Sequence, residues 1–159
     1  MGRKLRFFGI PLAAAVLAVF GLQGSAYAAP SPNSVQIPAF LRTTGFPHPT
    51  IVASLVPQLD VGNCSVIGNH QSFVEVDLTT GALLLIGQTR TTHSADVLHS
   101  DLTFYASNGT QVLSAGGSQL DSVPMGLINQ DYGWSRTMQF AQLPPSMATV
   151  TSVVWTGHC

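Results

Sequence analysis

The stretch Leu102-Thr-Phe-Tyr-Ala-Ser-Asn-Gly-Thr-Gln-Val-Leu-Ser-Ala115 decides how this chain is read. Two apolar/polar alternating segments flank Asn108-Gly109, the dipeptide that best supplies the positive backbone angles of a tight hairpin. A two-residue loop pairs Ser107 with Thr110, Tyr105 with Val112, Phe104 with Leu113 and Leu102 with Ala115. The period-2 rule then gathers Leu102, Phe104, Leu113 and Ala115 on one face. Thr103, Tyr105, Val112 and Ser114 share the other. An isolated hairpin is marginal in water, so the oily face demands further strands or a second layer.

The rest of the chain offers such strands. Val35–Phe40 reads as an edge strand, because Pro38 lacks a ladder donor. Thr50–Val56 and Cys64–Ile67 follow, and Ser72–Leu78 alternates with Val74, Val76 and Leu78 on one side. Ala82–Gln88 is apolar on both faces and reads as central; across Thr80-Gly81 it forms a second hairpin with Glu75. Ser94–Asp101 runs into the first hairpin with Leu98 inward. A broken strand lies within Gln119–Asn129, Gln130–Ser135 reads as a loop, and Thr137–Leu143 and Thr149–Thr156 close the series. Eight or nine short strands between Gly, Pro and Asn turns predict an all-β fold. The expected form is a two-sheet antiparallel sandwich, with a small closed β-barrel as the alternative.

Residues 1–28 carry the pattern of a cleaved secretory signal of bacterial type. Arg3, Lys4 and Arg6 precede the thirteen-residue apolar run Ile10–Leu22, and Ala26-Tyr27-Ala28 fits the small-x-small cleavage rule. That run is too short to span a bilayer as a helix. The expected organisation is the signal, a flexible lead over 29–34, and one β domain over 35–159, placing the product outside the cell. Beyond Ala28 the only cations are Arg42, Arg90 and Arg136, set against seven acids, for a formal charge of −4. Such a surface lacks the basic patch that nucleic-acid binding needs, and it is not drawn to an anionic membrane.

Cys64 and Cys159 are the only cysteines, and in an oxidising compartment the expectation is a disulfide between them. His93, Asp96, His99 and Asp101 are the one local group of metal-ligand types. On a strand, His99 and Asp101 share a face with the more distant His93, so these three are the weak metal candidates. No phosphate loop, dinucleotide fingerprint or G-x-S-x-G elbow occurs, and no organic cofactor is implied. Glu75 and Asp77, two apart on one strand face, have roughly the 7 Å separation that inverting glycosidases use. Solvated strand faces carry such pairs routinely.

What remains is recognition. Asp131, Tyr132 and Trp134 fall in the expected loop with Arg136 just beyond it, and Tyr and Trp anchor partners well because they bury large rigid surfaces, although Trp134 can equally cap the core under the loop. The residues therefore favour a secreted noncatalytic β domain with a structural role or one in binding a secreted protein or cell-envelope component. The alternatives are a small secreted hydrolase, and a protease inhibitor presenting an exposed, rigid loop within 119–135.

Overall fold

The computed structural model describes residues 33–159. The signal and most of the lead lie outside the described residues. Ten strands form: β1 Ser34–Arg42, β2 Thr50–Ser54, β3 Leu59–Val61, β4 Cys64–Val66, β5 Phe73–Asp77, β6 Ala82–Thr91, β7 His99–Ala106, β8 Gln111–Ala115, β9 Tyr132–Gln139 and β10 Val150–His158. Two short 3-10 segments, Ser118–Leu120 and Pro145–Thr149, are the only helical elements among the described residues.

The sandwich and barrel expectations are both corrected. All ten strands belong to one large, open antiparallel sheet, ordered β3-β4-β6-β5-β2-β1-β10-β7-β8, with β9 on the remaining edge of β6. The strand that makes it one sheet is β1. Ser34–Pro38 pairs with β10, and Ala39–Arg42 pairs with β2. Pro38, opposite Ser152, falls where β1 passes from one neighbour to the other. The missing donor that pointed to an edge strand is accommodated at this changeover.

Register explains the core. Ala115, Leu102, Trp155 and Val35 stand in one cross-strand row, and Leu113, Phe104, Val153 and Ile37 in the next. Two residues along β1 the same face continues as Ala39, Ala53, Val74 and Leu85. These residues belong to a single hydrophobic cluster. Leu55, Leu98, Leu120, Met125 and Met147, all from the connections, are fully buried and help cover it. Gly157 of β10 lies so close to Val61 of β3 that a Cβ there would stand 2.7 Å from Cγ2. Fully burying each large aliphatic or aromatic side chain contributes about 1.5–3 kcal/mol, so the shared face is the main source of stability.

The Asn108-Gly109 hairpin forms with a corrected turn. Only Gly109 has positive φ, at 79°, and its N–H donates to Ala106 O while Ala106 N–H donates to Thr110 O. This is a three-residue loop, a type I turn followed by a left-handed glycine. Tyr105 consequently faces Gln111, and Val112 is an extra, bulged residue. The bulge cancels the longer loop, so Phe104–Leu113 and Leu102–Ala115 pair as the alternation predicts.

The second correction concerns β9. Residues 132–135, expected in a loop, are paired with β6 from Thr89↔Tyr132 through Ala82↔Gln139. Gly87 stands opposite Trp134 and admits its ring, because a Cβ there would lie 2.2 Å from Trp134 Cζ2. On the other edge of β6, β4 and β5 follow one another. Buried Ser72 fills the gap between them: its hydroxyl donates to Ile67 O and accepts from Gln88 N–H.

Candidate functional site

The segment from β8 to β9 is tied down and then released. Leu120 is buried, and Ser122 N–H donates to Leu98 O while Leu98 N–H donates to Ser122 Oγ. Met125, fully buried, bridges to Asp96: its N–H donates to Asp96 O and its carbonyl accepts from Ala95 N–H. From that anchor the chain is exposed throughout 126–131. Leu127 is 62% exposed and Ile128 56% exposed.

The exposed turn is braced from behind. Leu127 N–H donates to the Tyr132 hydroxyl at 2.6 Å, and Asn129 N–H donates to Thr91 O at 2.7 Å. Asn129 takes a left-handed conformation, φ 56°, which asparagine tolerates better than most residues. At the exit Arg90 Nε donates to Asp131 Oδ1 at 2.7 Å, an ion pair that raises the guanidinium pKa further. Two apolar side chains are thereby presented on a backbone that is already ordered.

Of the four residues singled out as binding candidates, Tyr132, Trp134 and Arg136 lie on β9 and Asp131 stands in the connection just before it. Trp134 is 6% exposed and packs on Gly87, with its Nε1 buried and unpartnered. Arg136 lies on the same strand with its guanidinium 5.9 Å from the Trp134 ring centre. Tyr132 and Asp131 are braces for the turn. The two exposed residues they support, Leu127 and Ile128, carried no signal in the sequence beyond lying in a Pro/Gly-interrupted segment.

Cys64 and Cys159 are joined by a disulfide, Cα–Cα 5.9 Å, linking β4 to the residue that follows β10. Asp96 places a carboxylate oxygen within 4.8 Å of both sulfurs. Bonded to each other, those sulfurs are not thiolates, and Asp96 Oδ2 accepts from Thr91 Oγ1 at 2.6 Å. The three weak metal candidates do not converge. His93 hydrogen-bonds with Thr92, His99 Nδ1 lies 2.9 Å from Asp121 Oδ2, and Asp101 Oδ2 lies 3.6 Å from His158 Nε2.

Hydrolytic chemistry requires a nucleophile, a base and an orienting group in series. The protein holds fragments of that series. Ser54 Oγ and His70 Nδ1 are 2.8 Å apart, His48 Nδ1 is 2.8 Å from Asp77 Oδ2, and His99 pairs with Asp121. Among the described residues no hydrogen-bonded chain joins a serine, a histidine and a carboxylate.

Glu75 and Asp77 do share a cleft, of about 230 Å³, with Phe46, Pro47, Thr50, Ala82 and Leu84. Asp77 is fully engaged there. Its Oδ1 accepts from the Thr79 and Thr80 N–H groups and its Oδ2 faces His48. The Thr80 N–H is the largest lowering influence, aided by His48 and Thr79, and partial burial opposes it; the pKa falls from 3.8 to about 2. A glycosidase acid needs the opposite shift.

A pH prediction follows. A depressed carboxylate pKa stabilises the fold above its unfolded value, and that contribution fades between about pH 4 and pH 2. In Asp77→Asn the amide oxygen can still accept from Thr79 and Thr80, but the charge is gone. The gap in urea midpoint between wild type and variant is expected to be widest above pH 4 and to close by pH 2. A gap independent of pH would contradict the assignment.

No protein-family model matches the chain, and no curated protein or solved structure shows significant similarity to it.

Proposed function

We propose that this is an exported, noncatalytic binding domain that engages a secreted protein or a cell-envelope protein through the 126–131 turn. The observation that carries the reading is the pair Leu127 and Ile128, exposed on a backbone braced by Tyr132, Thr91 and the Met125 anchor. A preordered loop avoids much of the ordering cost of association, and exposed apolar side chains supply the burial. The partner chemistry is an apolar pocket able to take two branched aliphatic side chains. Export is supported by the leader pattern of residues 1–28.

The turn closes at Ile128-Asn129 with a left-handed residue directly after the apolar pair. A substrate-mimicking inhibitor needs an extended backbone there, so this loop is read as a contact surface rather than a protease bait.

The test is a Leu127→Asp, Ile128→Asp double variant. Both side chains are exposed, so the fold and its thermal midpoint should be unchanged. Immobilised wild-type protein is expected to retain a partner from secreted and envelope fractions of the producing cells. The purified partner should then bind the variant at least tenfold more weakly by calorimetry. Equal affinity, or no partner retained by wild type, would overturn the proposal.

A further inference from the structure

We propose that His99 and His158 form a two-imidazole site for a divalent transition cation of the zinc, nickel or copper type, independent of the 126–131 turn. The two histidines are directly opposite each other on β7 and β10. Both are 58% exposed. Directly opposed residues in an antiparallel pair have Cβ atoms about 4.5–5.5 Å apart on the same face. Coordination at about 2.0–2.1 Å asks the two ligating nitrogens to come within about 3–4 Å, a separation within reach of side chains on directly opposed Cβ atoms.

The His99 ring has a carboxylate close behind it, and His158 has one farther off. His99 Nδ1 lies 2.9 Å from Asp121 Oδ2, and His158 Nε2 lies 3.6 Å from Asp101 Oδ2. A carboxylate that accepts one ring N–H fixes the tautomer and makes the other nitrogen a better ligand, and metal-bound histidines almost always have such a partner. His99 is left with Nε2 free for the cation, and His158, 3.6 Å from Asp101, can present either ring nitrogen. Two imidazoles suit zinc, nickel and copper better than magnesium or calcium, which favour oxygen ligands.

A second observation points the same way. Asp121 Oδ1 is buried and has no hydrogen-bond partner. Asp121 is held in place by its neighbours, since Leu120 is in the core and Ser122 exchanges two hydrogen bonds with Leu98. A carboxylate with one unsatisfied, desolvated oxygen gains from positive charge delivered through the His99 ring. A cation on Nε2 supplies it. Water completes the coordination shell on the open side.

The test titrates untagged protein with Zn²⁺, following imidazole NMR signals and calorimetric heat. A saturable one-to-one transition is expected, moving the His99 and His158 resonances together while those of His48, His70 and His93 stay in place. His158→Gln should weaken binding at least tenfold. Asp121→Asn, which keeps both imidazoles, should weaken it about 10–100-fold as a positioning residue. Thermal melts confirm that both variants are folded. Absence of saturable binding, or binding untouched by His158→Gln, would overturn the site; unchanged affinity in Asp121→Asn would overturn the role of the carboxylate.

Discussion

Replacing both cysteines, Cys64→Ser with Cys159→Ser, should lower the unfolding free energy by roughly 4–5 kcal/mol on the chain-entropy model. The bridge spans 95 residues, most of the described chain, so its removal releases a large loop in the unfolded state. It also frees the end of β10 from β4. These two strands share no hydrogen-bonded neighbour, because β6, β5, β2 and β1 lie between them in the sheet. For a domain of ordinary stability, about 5–15 kcal/mol, such a loss is a large share of the total. Urea unfolding of the double variant, compared with oxidised and reduced wild type, measures it. Reduced wild type should match the variant, and a loss below about 1 kcal/mol would show that the bridge does not restrain the unfolded chain as its span implies.

Trp155→Ala carries the next largest expected effect. Trp155 is fully buried, stands in the row between Leu102 and Val35, and its indole N–H donates to Ser100 Oγ at 3.1 Å. Truncation removes the ring, leaves a cavity in the one face all strands share, and strands the buried Ser100 hydroxyl. Comparable truncations cost about 3–5 kcal/mol. In a domain of this size that corresponds to a fall in thermal midpoint on the order of 10–20 °C. Trp155→Phe, which keeps an aromatic ring but not the donor, should lose less than half as much. Similar midpoints for wild type and Trp155→Ala would place the indole outside the core.

The legible part of this fold is the local part. Alternation over Leu102–Ala115 identifies the inward residues Leu102, Phe104, Leu113 and Ala115. Their pairing survives a loop one residue longer than expected because Val112 bulges. The β5–β6 hairpin is legible for the same reason. The number of sheets is not, since it depends on whether β1 bonds along one edge or both, and side-chain periodicity is the same in either case. Pro38, lacking a ladder donor, points toward one edge only. Whether Trp134 is a contact residue or a core residue is not legible locally, because the partner that accommodates its ring, Gly87, is 47 positions away in sequence and opposite only through the β6–β9 register.

The candidate sites follow the same division. His99 and Asp101 are visible as a polar pair on one strand face, but the partners that matter are His158 and Asp121. His158 is brought in by the β7–β10 pairing and Asp121 by the docking of Ser122 on Leu98. The exposed turn is similar. Leu127 and Ile128 resemble core residues in composition, and only the Met125 anchor and the Tyr132 brace leave them on the outside.

Cross-strand proton contacts on both sides of β1, measured by NMR in uniformly labelled protein, test the architecture most directly. The account predicts Gln36–Val154 and Phe40–Val52 contacts in the same molecule, together with a His99–His158 contact from the neighbouring pair. Contacts from β1 to β10 alone, or to β2 alone, would divide the sheet and contradict it.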